Sequence, residues 1–240
     1  LVNNKLDEFV KKLKAAAAGN LKAVILYGSA ATEEFHSKHS DLNVLCLVDQ
    51  ADAAHLEALH APVDWWIRRG QRPPLVFTLD ELRRSADIFT IELLDMKSRH
   101  RILYGENVLA EISVPLDYHA IQVERELRTD WLRLRQAILA APKKSKVYLE
   151  LMVSSFSAFA ALFRHALIAL GKVPVETKRE AIDGIAQFAG ADPAGFQAIL
   201  SLREGKLSAR GIDIEKTLNQ YFAFVEAVTG KFDRQLDAKK

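Results

Sequence analysis

The apolar pattern changes type once along the chain, near Pro115, and that change limits what the chain can fold into. Before it, short β-branched runs alternate with helical periodicity. Leu6 to Ala18 carries Leu6, Phe9, Val10 and Leu13 on one helical face and stops at Gly19-Asn20. Ala23 to Tyr27 and Leu42 to Val48 are apolar runs of strand length, and Leu75 to Phe77 is a third behind Pro73-Pro74. Asp52 to Arg69 has helical spacing, and Thr78 with Glu81 forms a capping box for a short helix to about Ala86. Phe89 to Met96 fits a strand or the first turns of a helix, and we read it as a strand. After Pro115 the spacing is helical throughout: Tyr118 to Ala140, Val147 to Leu170, Thr177 to Ala189, Pro193 to Leu202 and Asp213 to Leu236. Strands first and helices afterwards predict an α+β chain of two units, 1–112 and 113–240, the second a helical bundle.

Composition narrows the class of partner. Among 240 residues, 33 Lys and Arg stand against 31 Asp and Glu, so the net charge of +2 predicts neither a nucleic acid nor an anionic membrane as partner. The single cysteine, Cys46, cannot staple a fold, which fits a reducing compartment. The first twenty residues lack the basic-then-apolar layout of a secretion signal. Val147 to Leu170 is long and apolar, but Glu150, Arg164 and His165 interrupt it, so it reads as a buried helix rather than a membrane span. A cytoplasmic protein is expected.

The chemistry concentrates between Tyr27 and Val44, in Tyr-Gly-Ser-Ala-Ala-Thr-Glu-Glu-Phe-His-Ser-Lys-His-Ser-Asp-Leu-Asn-Val. A buried strand ends in Gly28-Ser29. Glycine permits close backbone approach, and a helix starting there would offer free amides to a phosphate. Asp41 follows thirteen residues after Gly28, at the start of the next strand. Residues two apart on a strand share a face, so Asp41 and Asn43 project together. Acids at both positions would hold divalent cations against a triphosphate.

This segment resembles the signature of the DNA polymerase β-like nucleotidyltransferase superfamily: a strand, Gly-Ser, a spacer, then acid–apolar–acid on the next strand. The match covers roughly residues 20 to 105. The helical continuation is similar in layout to the aminoglycoside and lincosamide nucleotidyltransferases. The resemblance implies a mixed β-sheet with flanking helices ahead of the bundle. It implies that Gly28, Ser29 and Ser40 bind the nucleotide, that Asp41 and Asn43 hold magnesium, and that a third acid deprotonates the attacking hydroxyl. Glu92, in Ile91-Glu92-Leu93, is the candidate for that acid, with Asp95 and Asp87 as alternatives.

The chain departs from this pattern in three respects, one being that the third acid is not obvious. Asn43 stands where the second acid belongs, and its neutral amide adds no charge. Thr32-Glu33 replaces the Arg-Gly pair of many relatives.

Other polar residues have plainer readings. His36, Lys38 and His39 lack a second ligand cluster at zinc spacing. Trp65 and Trp66 read as packing, and Arg125, Arg128, Arg133 and Arg135 as surface ion pairs. Ser154, Ser155 and Ser157 lack a hydrolase motif beside them. Arg164 and His165 sit on an apolar helix, where a core position outweighs a pocket.

Three functions fit. One is magnesium-dependent transfer of a nucleoside monophosphate from a nucleoside triphosphate to a hydroxyl on a small molecule or a protein, with the acceptor between the two units. The second is nucleotide binding without turnover. The third is an antitoxin-like interaction protein. A homodimer is compatible with each.

Overall fold

The computed structural model describes residues 2–31 and 42–238. The chain divides into two compact units, Leu1–Pro115 and Leu116–Lys240.

In the first unit the elements run α1 (Val2–Ala16), β1 (Leu21–Tyr27), a 3-10 turn (Gly28–Ala31), β2 (Asn43–Val48), α2 (Ala53–Ala58), α3 (His60–Ile67), β3 (Leu75–Thr78), α4 (Leu79–Arg84), α5 (Thr90–Ser98), β4 (His100–Tyr104) and α6 (Val108–Glu111). The four strands form one mixed sheet in the order β3-β2-β1-β4. β1 is antiparallel to both of its neighbours, whereas β2 and β3 run parallel.

Alternation along β1 and β2 sends two sets of side chains to opposite faces. Val24, Leu26, Val44 and Cys46 point to one, where Leu6, Phe9 and Leu13 of α1 and Trp66 of α3 cover them. Ala23, Ile25, Leu45 and Leu47 point to the other, under Leu82, Leu93 and Met96 from α4 and α5. Each large apolar side chain buried in these layers contributes roughly 1.5–3 kcal/mol relative to exposure. With both faces covered, the strands read as continuous apolar runs rather than alternating ones.

Burial pushes the Cys46 thiol up to about 12, so almost none is thiolate near neutrality. Ellman's reagent should therefore react with Cys46 only as fast as the first unit opens, and immediately once urea has unfolded it. Rapid labelling of the native chain would contradict this burial.

Two sequence expectations are corrected. Phe89 to Met96 is not a strand: α5 is a helix, with Thr90, Leu93 and Met96 buried at a spacing of three. The run is short and apolar, so only its contacts on the sheet decide its type. The edge strand comes later, at β4. Asp52 to Arg69 is two helices, broken at Leu59. Pro62 explains the break, because its ring opposes the carbonyl four residues back and it has no N–H to donate there. Asp52 caps α2 by accepting from the His55 amide at 3.1 Å, and the Thr78–Glu81 capping box opens α4.

The second unit is helical: α7 (His119–Ala140), α8 (Ser145–Ala169), α9 (Lys178–Ala189), α10 (Ala194–Arg203), a 3-10 turn (Ala209–Gly211) and α11 (Ile214–Asp237). Thr177 and Glu180 form a capping box at α9, and Gly190 ends it in the left-handed conformation. α8 is long and apolar enough to cross a bilayer, but half of its most apolar stretch is buried inside the fold. Its Phe156, Phe159 and Phe163 are fully buried, as a core helix requires.

Candidate functional site

The Gly28–Ser29 bend lies at the sheet end where β1 finishes and β2 and β4 begin. Tyr27 pairs with Asn43 on one side and with His100 on the other, so three residues line up across the sheet. Gly28 then leaves the strand with φ +79°, a conformation that glycine adopts without a Cβ penalty. Its amide donates to the Arg99 carbonyl at 2.9 Å. That amide is thus committed to closing β1 onto β4 and not offered to a phosphate. The expected role of Gly28 narrows to shaping the bend.

Asn43 opens β2 half-buried, with its amide nitrogen 3.4 Å from where a Cβ on Gly28 would stand. By alternation it shares the face of Leu45 and Leu47. Tyr27 packs on that same face, the one α5 covers. Ser29 lies in the 3-10 turn that continues the bend. Ser40 and Asp41 lie outside the described residues, as do Thr32, Glu33, His36, Lys38 and His39.

Glu92 sits in the first turn of helix α5, exposed, and not on a strand. It is nonetheless brought to the same sheet end. The Tyr27 phenol is held above its usual pKa, first by burial and then by the negative charge of Glu92, with Arg72 acting in the opposite sense. Asp95 lies a turn further along the same helix, where its carbonyl accepts from the Arg99 amide at 3.0 Å, and Asp87 precedes the helix.

Two residues of this sheet end escaped the sequence reading. Tyr27 directly precedes the bend, which could have marked it. Arg72 carries no local signal, because its position depends on the pairing of β3 with β2.

The remaining candidates fall elsewhere. Trp66 is fully buried and stacks on Phe9 at 4.2 Å, and Trp65 lies under the Arg69 guanidinium at 3.8 Å. Arg128 pairs with Glu124 at 2.8 Å and Asp233 at 2.6 Å, Arg133 pairs with Asp130 at 2.9 Å, and Arg135 covers the Trp131 ring at 4.0 Å. Ser155 bonds the Tyr221 hydroxyl at 3.0 Å, and Ser157 accepts from Arg203 at 3.1 Å. His165 is buried edge-on to His119, their rings 5.2 Å apart. Among the described residues no three His, Cys, Asp or Glu side chains gather as metal ligands. A cavity of about 670 Å³ opens at the opposite sheet end, lined by Lys22, Asp49, Thr78 and Glu106 among others.

The chain has a nucleotidyltransferase fold. It superposes on a spectinomycin adenyltransferase from Enterococcus faecialis, solved with ATP and spectinomycin, with a TM-score of 0.52 and 16% identity over 91% of this chain and 98% of that one. At that identity the likeness establishes the fold. No family model matches the sequence, and no curated protein matches it.

Proposed function

We propose that this chain is a nucleotidyltransferase that moves a nucleoside monophosphate from a nucleoside triphosphate to a hydroxyl, through an acidic motif one carboxylate short. The observation that carries this reading is the approach of the Asn43 side chain to the Gly28 bend, with Tyr27 on the same sheet face and the Glu92 charge acting on it. In this reading the bend and Ser29 receive the triphosphate, with Ser40 beside them. Asp41 and Asn43 are the metal donors. One carboxylate and one neutral amide suit a single divalent cation better than two, because ligand charge governs how strongly such ions are held. A cation bound there would offset phosphate charge and polarise the reacting phosphoryl group.

In the same reading Glu92 is the base. The acceptor oxygen attacks the α-phosphorus, the bond to the β-phosphate oxygen breaks, and pyrophosphate departs. The acceptor proton passes to the Glu92 carboxylate. The structural neighbour is a spectinomycin adenyltransferase solved with ATP and spectinomycin, which makes ATP the first donor to test and spectinomycin the first acceptor.

The test is titration calorimetry with ATP, with and without magnesium, followed by labelled-adenylate transfer. Asp41→Ala should abolish nucleotide binding. Asn43→Asp should raise magnesium affinity about tenfold, equivalent to about 1.4 kcal/mol. If both substitutions leave binding unchanged, the nucleotide does not occupy this sheet end.

A second reading rests on Asn43 itself: the chain binds nucleotide without turning it over. Removing a charge where phosphate charge must be balanced weakens transition-state stabilisation more than binding. Tight ATP binding with no transfer to any hydroxyl acceptor, restored by Asn43→Asp, would select this reading.

A further inference from the structure

Arg72 stands on the short connection between α3 and β3, and three features fix its position. The parallel pairing of β2 with β3 begins at Leu45 beside Leu75, so the residues just before β3 enter the sheet at the end where β2 starts. Gln71 ties the connection to that point, because its Oε1 accepts from the Leu42 amide at 3.3 Å. Pro73 and Pro74 then hold the backbone extended into the strand. Arg72 is exposed, and its connection is anchored one residue before Asn43.

From this placement, and resting on the nucleotidyltransferase reading, we propose that Arg72 binds the triphosphate and supplies positive charge that Asn43 cannot recruit as metal. With Asn43 neutral, the site attracts less divalent charge, while the ligand's negative charge is unchanged. A guanidinium at the same sheet end meets that deficit directly. Its planar fork matches two phosphate oxygens. Arg72 acts on Tyr27, the residue before the bend, in the sense opposite to Glu92, so both charges are felt at this sheet end. The two side chains then divide the work: Arg72 toward the phosphates, Glu92 toward the acceptor hydroxyl.

The test compares ATP binding by calorimetry in EDTA for the unaltered chain, Arg72→Ala and Arg72→Lys. Arg72→Ala should weaken ATP about tenfold to a hundredfold, the range for one charge-assisted contact. Arg72→Lys should lose less, keeping the charge and forfeiting the fork. Tripolyphosphate should displace ATP from the unaltered chain and bind Arg72→Ala poorly, whereas adenosine should bind both alike. In magnesium, the loss on Arg72→Ala should shrink when Asn43→Asp is added, since metal then supplies the charge.

ATP binding that Arg72→Ala leaves intact overturns this assignment and spares the proposed function. Equal losses for adenosine and ATP also overturn it, because the substitution would then have disturbed the fold. An unaltered chain that binds ATP in magnesium but not in EDTA overturns the Arg72 assignment alone, and one that binds ATP in neither overturns both.

Discussion

Replacing Gly105 by alanine is expected to lower the stability of the first unit by about 2–5 kcal/mol, from left-handed strain of about 1–2 and overpacking of about 1–3. Gly105 follows β4 with φ +78°, and a Cβ there would stand 2.0 Å from the Lys22 carbonyl oxygen and 2.9 Å from the Ala23 Cα. Both atoms are backbone of β1, so no side chain can swing aside. Relief requires β4 to move off β1, the strand on which the Gly28 bend is carried. Gly19→Ala is the control. Gly19 has φ +95° with nothing within 4 Å of its would-be Cβ, so only the conformational strain applies. Urea denaturation followed through Trp65 and Trp66, both in this unit, measures the two variants side by side. Equal losses for Gly105→Ala and Gly19→Ala would mean that β4 does not press on β1 as described.

The close fit of β4 on β1 was not legible in the sequence, whereas the bend it supports was. A buried strand ending in Gly28-Ser29, with Asn43 opening the next strand, is a local pattern. The antiparallel pairing of β1 and β2 then sets Asn43 opposite Tyr27. Contacts between segments distant in sequence were the ones lost. Leu93 and Met96 can be buried on a strand or on a helix, and only their seat against the face of the sheet makes α5 helical. Once that segment is a helix, the edge strand becomes His100–Tyr104, and Glu92 reaches the sheet end from above the sheet rather than from within it. Arg72 was invisible for a similar reason: nothing in Gly-Gln-Arg-Pro-Pro announces a thirty-residue register with β2. The packing role of Trp66 was readable, because a helix burying one face must place such a ring somewhere.

In the second unit the largest loss is expected for Phe196→Ala, about 3–5 kcal/mol and toward the upper end of that range. The ring is fully buried and stacks on Tyr221 at 3.9 Å with 7° between planes. Phe163 and Phe224 lie at 5.1 and 5.2 Å, and Phe156 and Phe159 at 5.7 and 6.2 Å. How much such a deletion destabilises depends on how far the surroundings can close on the cavity. Here they cannot close far, because Gly195 already lets α10 rest on α11: a Cβ on it would fall 2.5 Å from the Tyr221 amide nitrogen. The backbones are at their limit of approach, so the space left by the ring stays empty. Tyr221 is also held from its far side, where its hydroxyl meets Ser155 at 3.0 Å, which keeps it from tilting into the void. Phe196→Leu, which restores much of the volume, should lose markedly less. Urea denaturation followed through Trp131, the tryptophan of this unit, supplies both values. A loss below about 1 kcal/mol for the alanine variant would mean that the helices do reclose, and that contact through Gly195 is not what fixes the spacing of α10 and α11.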